Sequence, residues 1–315
     1  MLTQDQLTSL IQKGLDGIVY PGTAPRLCDP VRYTLETGGK RLRPMLVLMA
    51  ANLFKEDVSA AITPAIGLEM YHNCTLLHDD VMDRASDRRG RPTVHVKWND
   101  SVAILSGDAM QTLAYQLITT APDYCLRSVL SLFNTTNMEV WEGQQLDMEF
   151  ETRNDVSEEE YIEMIRLKTS VLLGCALKLG ALVGEATEQQ AQILYDFGQN
   201  IGLAFQLQDD WLDCWGDPKT FGKRIGGDIL CNKKTFLRIT AEKAAPLPDT
   251  SAMTDEEKIE AIKDHYVKTG AEKLCREAIA KYHSIGMDCL SRLNMSDDKL
   301  ALLKSLASKL ENRNK

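Results

Sequence analysis

Apolar and polar residues follow one another with a helical period along most of the chain. Near the C-terminus the stretch LALLKSLASKL sets Leu300, Leu303, Ala307 and Leu310 on one stripe, the spacing of a helix that buries a single face. The first residues, MLTQDQLTSLIQKGL, repeat that pattern. Three such segments open on a capping box: Thr3 with Gln6, Ser157 with Glu160, and Thr254 with Glu257. In each, the hydroxyl is expected to accept from the backbone three residues on, while the Gln or Glu reaches back. No run of β-branched residues alternates between turns, so no sheet is expected. Prolines at positions 21, 25, 30, 44, 64, 92, 122, 218, 246 and 248 punctuate the chain and leave long helical stretches between them. PLPDTSAMTDEEK reads as a surface loop ahead of a helix, not as a domain linker. The pattern predicts an all-α, single-domain helical bundle over residues 1–315, with about ten helices at ordinary helix lengths.

Composition narrows what such a chain can do. With 44% hydrophobic residues it can bury a core, which excludes a disordered protein. Its net charge of −9 argues against a nucleic-acid partner, since that needs a basic surface. A polyanionic ligand must therefore be met locally, by clustered Lys and Arg or by metal ions. The longest apolar run, PMLVLMAANLF, is too short for a membrane span, and the N-terminus lacks the apolar core of a signal peptide. The cysteines at 28, 74, 125, 175, 214, 231, 275 and 289 contain no CxxC pair. Most stand among apolar neighbours, so buried free thiols in a reducing compartment are expected. Together these features predict a cytoplasmic protein.

Two stretches interrupt the apolar pattern. HDDVMDRASDRR, residues 78–89, follows TLL; QLQDDWLD, residues 206–213, lies within IGLAFQLQDDWLDCW. On a helix Asp79 and Asp83 share a face with Asp80 at its edge, and Asp209, Asp210 and Asp213 repeat that arrangement. Like charges so spaced repel, and something has to compensate. All-oxygen donors favour Mg²⁺, which takes one or two carboxylates and completes its shell with water and substrate phosphate. One DDxxD alone reads equally well as a solvated acidic face. Two copies in apolar surroundings, where carboxylates are costly unless paired or metal-bound, favour a Mg²⁺–diphosphate receptor.

The cations complement this. GGKRLRP, residues 38–44, sets Lys40, Arg41 and Arg43 behind two glycines at the head of an apolar helix, an arrangement suited to phosphate. Arg88 and Arg89 follow the first aspartates. Lys168 and Thr169 head the helix in RLKTSVLLGCALKLG, and Lys223 and Lys233 lie in the loop-like DPKTFGKRIGGDILCNKK. Any one of them alone reads as a solvent-facing salt bridge. Together they supply one set to complete a metal–diphosphate site and another for a second diphosphate without metal. His72 precedes Asp79 by two helical turns on the same face and is expected to look into the same space. His78 has no such argument and reads as structural.

The pieces GGKRLRP, LLHDDVMDRASDRRGRPTVH, the KT of RLKTS, FQLQDDWLD and GKRIGGDILCNKKT stand in order over residues 35–235. In them the chain resembles the trans-isoprenyl (polyprenyl) diphosphate synthases, a family that includes geranylgeranyl and farnesyl diphosphate synthases. The resemblance implies an all-α bundle around a deep central cavity, in a homodimer. It implies a prenyltransferase that condenses isopentenyl diphosphate with an allylic diphosphate by ionisation, condensation and elimination. Asp79, Asp80 and Asp83, with Asp209, Asp210 and Asp213, would bind three Mg²⁺ and the allylic diphosphate. Arg88, Lys168, Lys223 and Lys233 would contact that diphosphate. Lys40, Arg43, His72 and Arg89 would hold isopentenyl diphosphate, and Arg41, in the same cluster of cations, is expected to bind substrate with them. Thr169 and Gln206 would line the place where the allylic cation forms. Such chemistry is electrostatic: metal ions and cations neutralise the leaving diphosphate as its charge develops, and that diphosphate is the expected base.

In this family a bulky residue on the helix before the first aspartates sets the product length. Cys74, Tyr71 and Leu68 step back along roughly one face of it. Cys74 is small, so Tyr71, one turn deeper, is the first large obstacle and geranylgeranyl diphosphate the expected product. The alternatives are a floor supplied by ILSGDAMQTLAYQLI, a farnesyl product, or one of twenty-five carbons or more. DDVMD lacks the two-residue insertion of many bacterial short-chain enzymes, which leans away from a dedicated farnesyl synthase. A non-catalytic partner subunit and a terpene cyclase are the other readings. The first should have lost its aspartates; the second needs no second diphosphate site and leans on aromatic rings, only 6% of this chain.

Overall fold

The computed structural model describes residues 1–20, 23–217 and 225–311; Lys223 lies outside the described residues. By Cα proximity the chain resolves into two compact units, Met1–Phe133 with Ala176–Ala191, and Asn134–Cys175 with Gln192–Lys315.

The first unit holds α1 (Gln4–Asp16), α2 (Pro25–Glu36), α3 (Leu42–Phe54), α4 (Ser59–Met82), α5 (Val94–Lys97) and α6 (Asp100–Ile118). A hairpin of β1 (Asp87–Arg88) and β2 (Arg91–Pro92) follows α4. Helix α4 packs against α1, α2, α3, α5 and α6. Its sequence dictates this place, because a helix apolar on nearly every side has to be enclosed. Leu68, Met70 and Tyr71 are fully buried, each stabilising the unit by about 1.5–3 kcal/mol. Glu69 and Asn73 are buried among them although polar. The helix stops inside DDVMD: the Arg84 amide donates to the Val81 carbonyl at 3.4 Å and the Ala85 amide to that of Asp80 at 3.0 Å, with Arg84 at φ 53°. This left-handed closure leaves Asp79 and Asp80 on the last turn and Asp83 as its cap.

The second unit holds the remainder of α7 (Asp123–Phe150), α8 (Glu158–Ile165), the start of α9 (Val171–Val183) and most of α10 (Glu188–Trp215). It continues with α11 (Gly227–Leu230), α12 (Phe236–Ala244), α13 (Asp255–Lys268), α14 (Ala271–Ser291) and α15 (Asp297–Glu311). Between α8 and α9 the backbone widens into a π-helical turn, Arg166–Ser170. Helix α12 packs on α8, α13 and α14, and α14 on α15. Tyr161, Ile165, Leu207, Trp211, Leu237 and Ile262 belong to the core they enclose.

The all-α expectation holds, and all three capping boxes form. The C-terminal stripe buries Leu300, Leu303 and Ala307, with Leu310 half-buried. Every cysteine is a free thiol, seven of them buried and Cys231 exposed. Among the described residues no helix is long and apolar enough to cross a membrane. Three details differ from expectation. The β1–β2 hairpin is a two-stranded sheet where none was expected, because strands of two residues show no alternation. Pro30 and Pro64 lie inside α2 and α4; each comes shortly after the first turn, where the missing amide costs one bond and burial of the rest of the helix prevails. Fifteen helices occur among the described residues, because four-residue pieces such as α5 and α11 form within stretches that read as connections.

Candidate active site

In the first unit the site begins at the loop between α2 and α3. Gly38 and Gly39 have φ of 81° and 132°, conformations that glycine adopts at little cost. A Cβ on Gly39 would lie 2.7 Å from Nη1 of Arg89, and Arg89 donates to the Gly38 carbonyl. Arg41, itself left-handed at φ 46°, caps α3. Its guanidinium donates to Glu69 Oε1 at 2.8 Å and to the carbonyl of Leu35. Lys40 is exposed. Arg43, in the first turn of α3, has a buried Nε without a hydrogen-bond partner; burial pushes its pKa down to about 10, with Glu69 opposing and Arg89 adding to the fall. His72 sits among these cations. Burial, then Arg43, Arg89, Arg88 and Arg41, hold its pKa well below the usual value, so the imidazole is neutral, with one ring nitrogen able to donate a hydrogen bond and the other to accept one.

The hairpin brings Arg88 back to the aspartates. Arg89 and Gly90 both have positive φ, 55° and 73°, the reversal that matches strand twist, and the register pairs Asp87 with Pro92 and Arg88 with Arg91. Arg88 then grips buried Asp80, Nε lying 2.8 and 3.0 Å from its two oxygens and Nη2 2.7 Å from Oδ1. This is the strong, planar form of the ion pair. Asp79 is half-buried and Asp83 exposed. His78 contacts the Ile104 carbonyl at 3.1 Å, in keeping with a structural part.

Cys74, Tyr71 and Leu68 are all fully buried. Burial raises the Cys74 thiol pKa to about 12, with Asp108 adding to it. The ring of Tyr71 meets Phe133 edge-on at 5.2 Å and 81°, and Phe133 meets Tyr115 at 5.0 Å and 68°. Tyr115 belongs to ILSGDAMQTLAYQLI, so one aromatic ladder joins both stretches from which a floor was expected.

In the second unit the aspartates of DDWLD line a cavity of about 390 Å³ together with Lys168, Thr169 and Gln206. Asp210 accepts from the Tyr161 hydroxyl and, at 3.4 Å, from Gln206 Nε2. The Thr169 hydroxyl donates to Gln206 Oε1 at 3.4 Å. Asp213 accepts from the Asp228 amide at 3.0 Å. Burial, and then the charge of Asp228, push the Asp210 carboxyl well above the usual carboxylate range. Lys168 pairs with Asp147 at 2.5 Å. Lys233 is exposed and lines the same cavity. Lys168 and Thr169 both stand on the π-helical turn, a form frequent at functional sites. A Cβ on Gly143 of α7 would lie 2.3 Å from the Lys168 amide nitrogen, and one on Gly202 of α10 would lie 2.7 Å from Ser170 Cα. Two glycines therefore clasp the turn, backbone against backbone.

Glu69, Asn73, Asp147, Tyr161 and Asp228 were not anticipated. A signal existed for Glu69: it is the one carboxylate in AIGLEMY, an apolar run in which an unpaired charge is costly. Nothing comparable marks Tyr161. As for metal, among the described residues no three His, Cys, Asp or Glu side chains gather closely enough to hold an ion unaided. The available donors are carboxylate oxygens that repel one another at Asp210 and Asp228. That set fits a hard cation which takes its remaining ligands from water and phosphate.

A family model described as polyprenyl synthetase matches residues 24–270. The chain is 37% identical over 288 residues to a geranylgeranyl diphosphate synthase of Methanosarcina mazei, covering 85% of this chain and 89% of that one. Among solved structures, a crystal structure of geranylgeranyl pyrophosphate synthase superposes with a TM-score of 0.94 at 40% identity, covering 100% of both chains. A second, from Corynebacterium glutamicum and complexed with isoprenyl diphosphate and magnesium, gives a TM-score of 0.83 at 27% identity over 98% of this chain and 97% of that one.

Proposed function

The chain belongs to the polyprenyl synthetase family and is a prenyltransferase, and from that premise we propose that it condenses isopentenyl diphosphate with allylic diphosphates, up to geranylgeranyl diphosphate. The observation that carries this reading is the presence in one chain of two unlike charged sites, an arginine cluster around a neutral His72 in the first unit and a carboxylate-lined cavity that holds Lys168 and Thr169 in the second. We take the two compact units to be parts of one functional domain.

In this reading Lys40, Arg43, His72 and Arg89 bind the diphosphate of isopentenyl diphosphate without metal. The guanidinium groups supply charge and the neutral imidazole a further donor. The six aspartates of the two DDxxD motifs would hold Mg²⁺, three ions in our proposal, with the allylic diphosphate. Bound Mg²⁺ supplies Lewis-acid stabilisation of the leaving group. Lys168 leaves Asp147 for that diphosphate, and Arg88 and Lys233 add positive charge beside it. Thr169 spends its proton on Gln206, which leaves its oxygen lone pairs to face the allylic cation; Gln206 is oriented in turn by Asp210. The Tyr71–Phe133–Tyr115 ladder is the proposed floor for the growing chain. Ile104 and Leu105, 48% and 59% exposed on α6, support a homodimer, and we place the enzyme in the cytoplasm.

The test is product analysis with Mg²⁺, isopentenyl diphosphate and each of dimethylallyl, geranyl and farnesyl diphosphate. Twenty-carbon product from all three primers is expected, and longer product from Tyr71→Ala. A fifteen-carbon endpoint would refute the floor, and no growth from any primer would refute the reaction.

A further inference from the structure

We propose that Glu69 is a positioning residue for the metal-free diphosphate half-site, acting through Arg41, and that Arg41 is a latch of the glycine loop and not a ligand of the substrate. The proposal rests on the function proposed above and names how that half-site is held in shape.

Glu69 is 3% exposed in the apolar middle of α4. A carboxylate there is retained only if its charge is met. Its Oε1 accepts from Arg41 at 2.8 Å and from Asn73 Nδ2 at 3.0 Å. Asn73, one turn on, also donates to the Glu69 carbonyl at 2.8 Å, which fixes the amide and through it the carboxylate. Arg41 reaches Glu69 from a left-handed backbone, φ 46°, a conformation that costs free energy in any residue with a Cβ and persists only where its surroundings impose it. They do so here at both edges of its guanidinium: one meets Glu69, the other the Leu35 carbonyl in the last turn of α2. One side chain thus ties the end of α2, the loop and α4 together, while Arg89 holds the Gly38 carbonyl on the loop's other flank.

The donors of Arg41 are committed inside the protein, whereas those of its neighbours are not. Arg43 keeps a buried Nε without a partner, and Lys40 is exposed. Glu69 Oε2 is likewise buried and unpartnered, and the charge of Glu69 acts directly on Arg43. Glu69 therefore does two things at once. It fixes the loop that carries Lys40, and it offsets a cluster of guanidinium groups that would otherwise repel one another before any anion arrives.

The test compares the full-length wild type with Glu69→Gln, Arg41→Met and the double variant. Metal-free protein is titrated with inorganic pyrophosphate by calorimetry, and KM is measured for both substrates. Each single variant should bind pyrophosphate about tenfold more weakly and raise the KM for isopentenyl diphosphate about as much, the scale of a lost charged hydrogen bond. The KM for the allylic substrate should stay within about twofold. The double variant should be no worse than Glu69→Gln alone, because Arg41 acts through the link that Glu69→Gln already breaks. Unchanged binding, additive losses, an equal rise in both KM values, or a wild type that binds no pyrophosphate without metal would each overturn the proposal. If Glu69→Gln fails to fold, Arg41→Met and Arg41→Lys decide by the same KM split. Loss of pyrophosphate affinity in the variants of a protein that elongates no chain would sustain the latch and refute the proposed reaction.

Discussion

The arginine cluster of the first unit and the aspartate cavity of the second are suited to the same ligand group by opposite means. Around His72 the cations lead: four arginines, with Glu69 and Asp80 as buried counter-charges in fixed, partly bidentate geometry. Around Asp210 the carboxylates lead, and burial, then the charge of Asp228, raises its pKa; the cations there are lysines, one of them occupied by Asp147. Guanidinium is planar, permanently charged and weakly hydrated, so it can be buried in advance and wait for an anion. A cavity lined by acids cannot bind a diphosphate until a metal reverses its sign. On the reading proposed above, one site is complete as folded and the other would become complete only with a metal.

The comparison breaks most visibly at Asp210. Asp210→Ala should lower chain elongation by about a thousandfold or more while leaving metal-free pyrophosphate binding intact, read by turnover and calorimetry on the same preparations. Gly143→Ala comes next. Its methyl would meet the Lys168 backbone, and a displacement near one ångström at the π-helical turn should cut kcat about a hundredfold with little change in the KM for isopentenyl diphosphate. Arg88→Lys loses the fork on Asp80 and should lower kcat/KM about tenfold, in steady-state assays at fixed Mg²⁺. The smallest effect is a pH dependence of stability. The pKa of folded His72 lies below its ordinary value, so below pH of about 6.5 the unfolded chain takes up a proton that the folded one refuses. Stability should then fall as pH drops, by up to ~1.4 kcal/mol per unit, and His72→Gln should flatten that slope in denaturant titrations at pH 7.5 and 5.5.

What the chain disclosed beforehand depended on how far apart partners stand. The capping boxes were legible because each hydroxyl meets a backbone three residues away. The aspartate motifs were legible because their spacing alone sets a shared face. Arg41 meets Glu69 across 28 positions, and Tyr161 meets Asp210 across 49; no local period relates such pairs. The β1–β2 hairpin escaped for another reason. Two-residue strands cannot display alternation, and its turn begins with an arginine where glycine or asparagine would have signalled one. Arg88 was therefore expected as a cation near the aspartates, while its grip on Asp80 came from a reversal the pattern does not encode. The division into two compact units left no mark in composition, since it falls inside α7, α9 and α10.

The π-helical turn at Arg166–Ser170 also fixes an angle. Each residue of a regular helix turns the chain by about 100°, and a π turn accommodates more residues than the α period allows. Tyr161 before it is buried against Asp210, and Val171, Leu172, Leu173 and Cys175 after it are buried too. Deleting one residue from RLKTS would restore an unbroken α-helix and rotate one of these faces out of its seat. The turn therefore works as a phase shifter whose local backbone cost is offset at both ends, so that straightening this helix, an obvious stabilising change elsewhere, would here cost both stability and alignment.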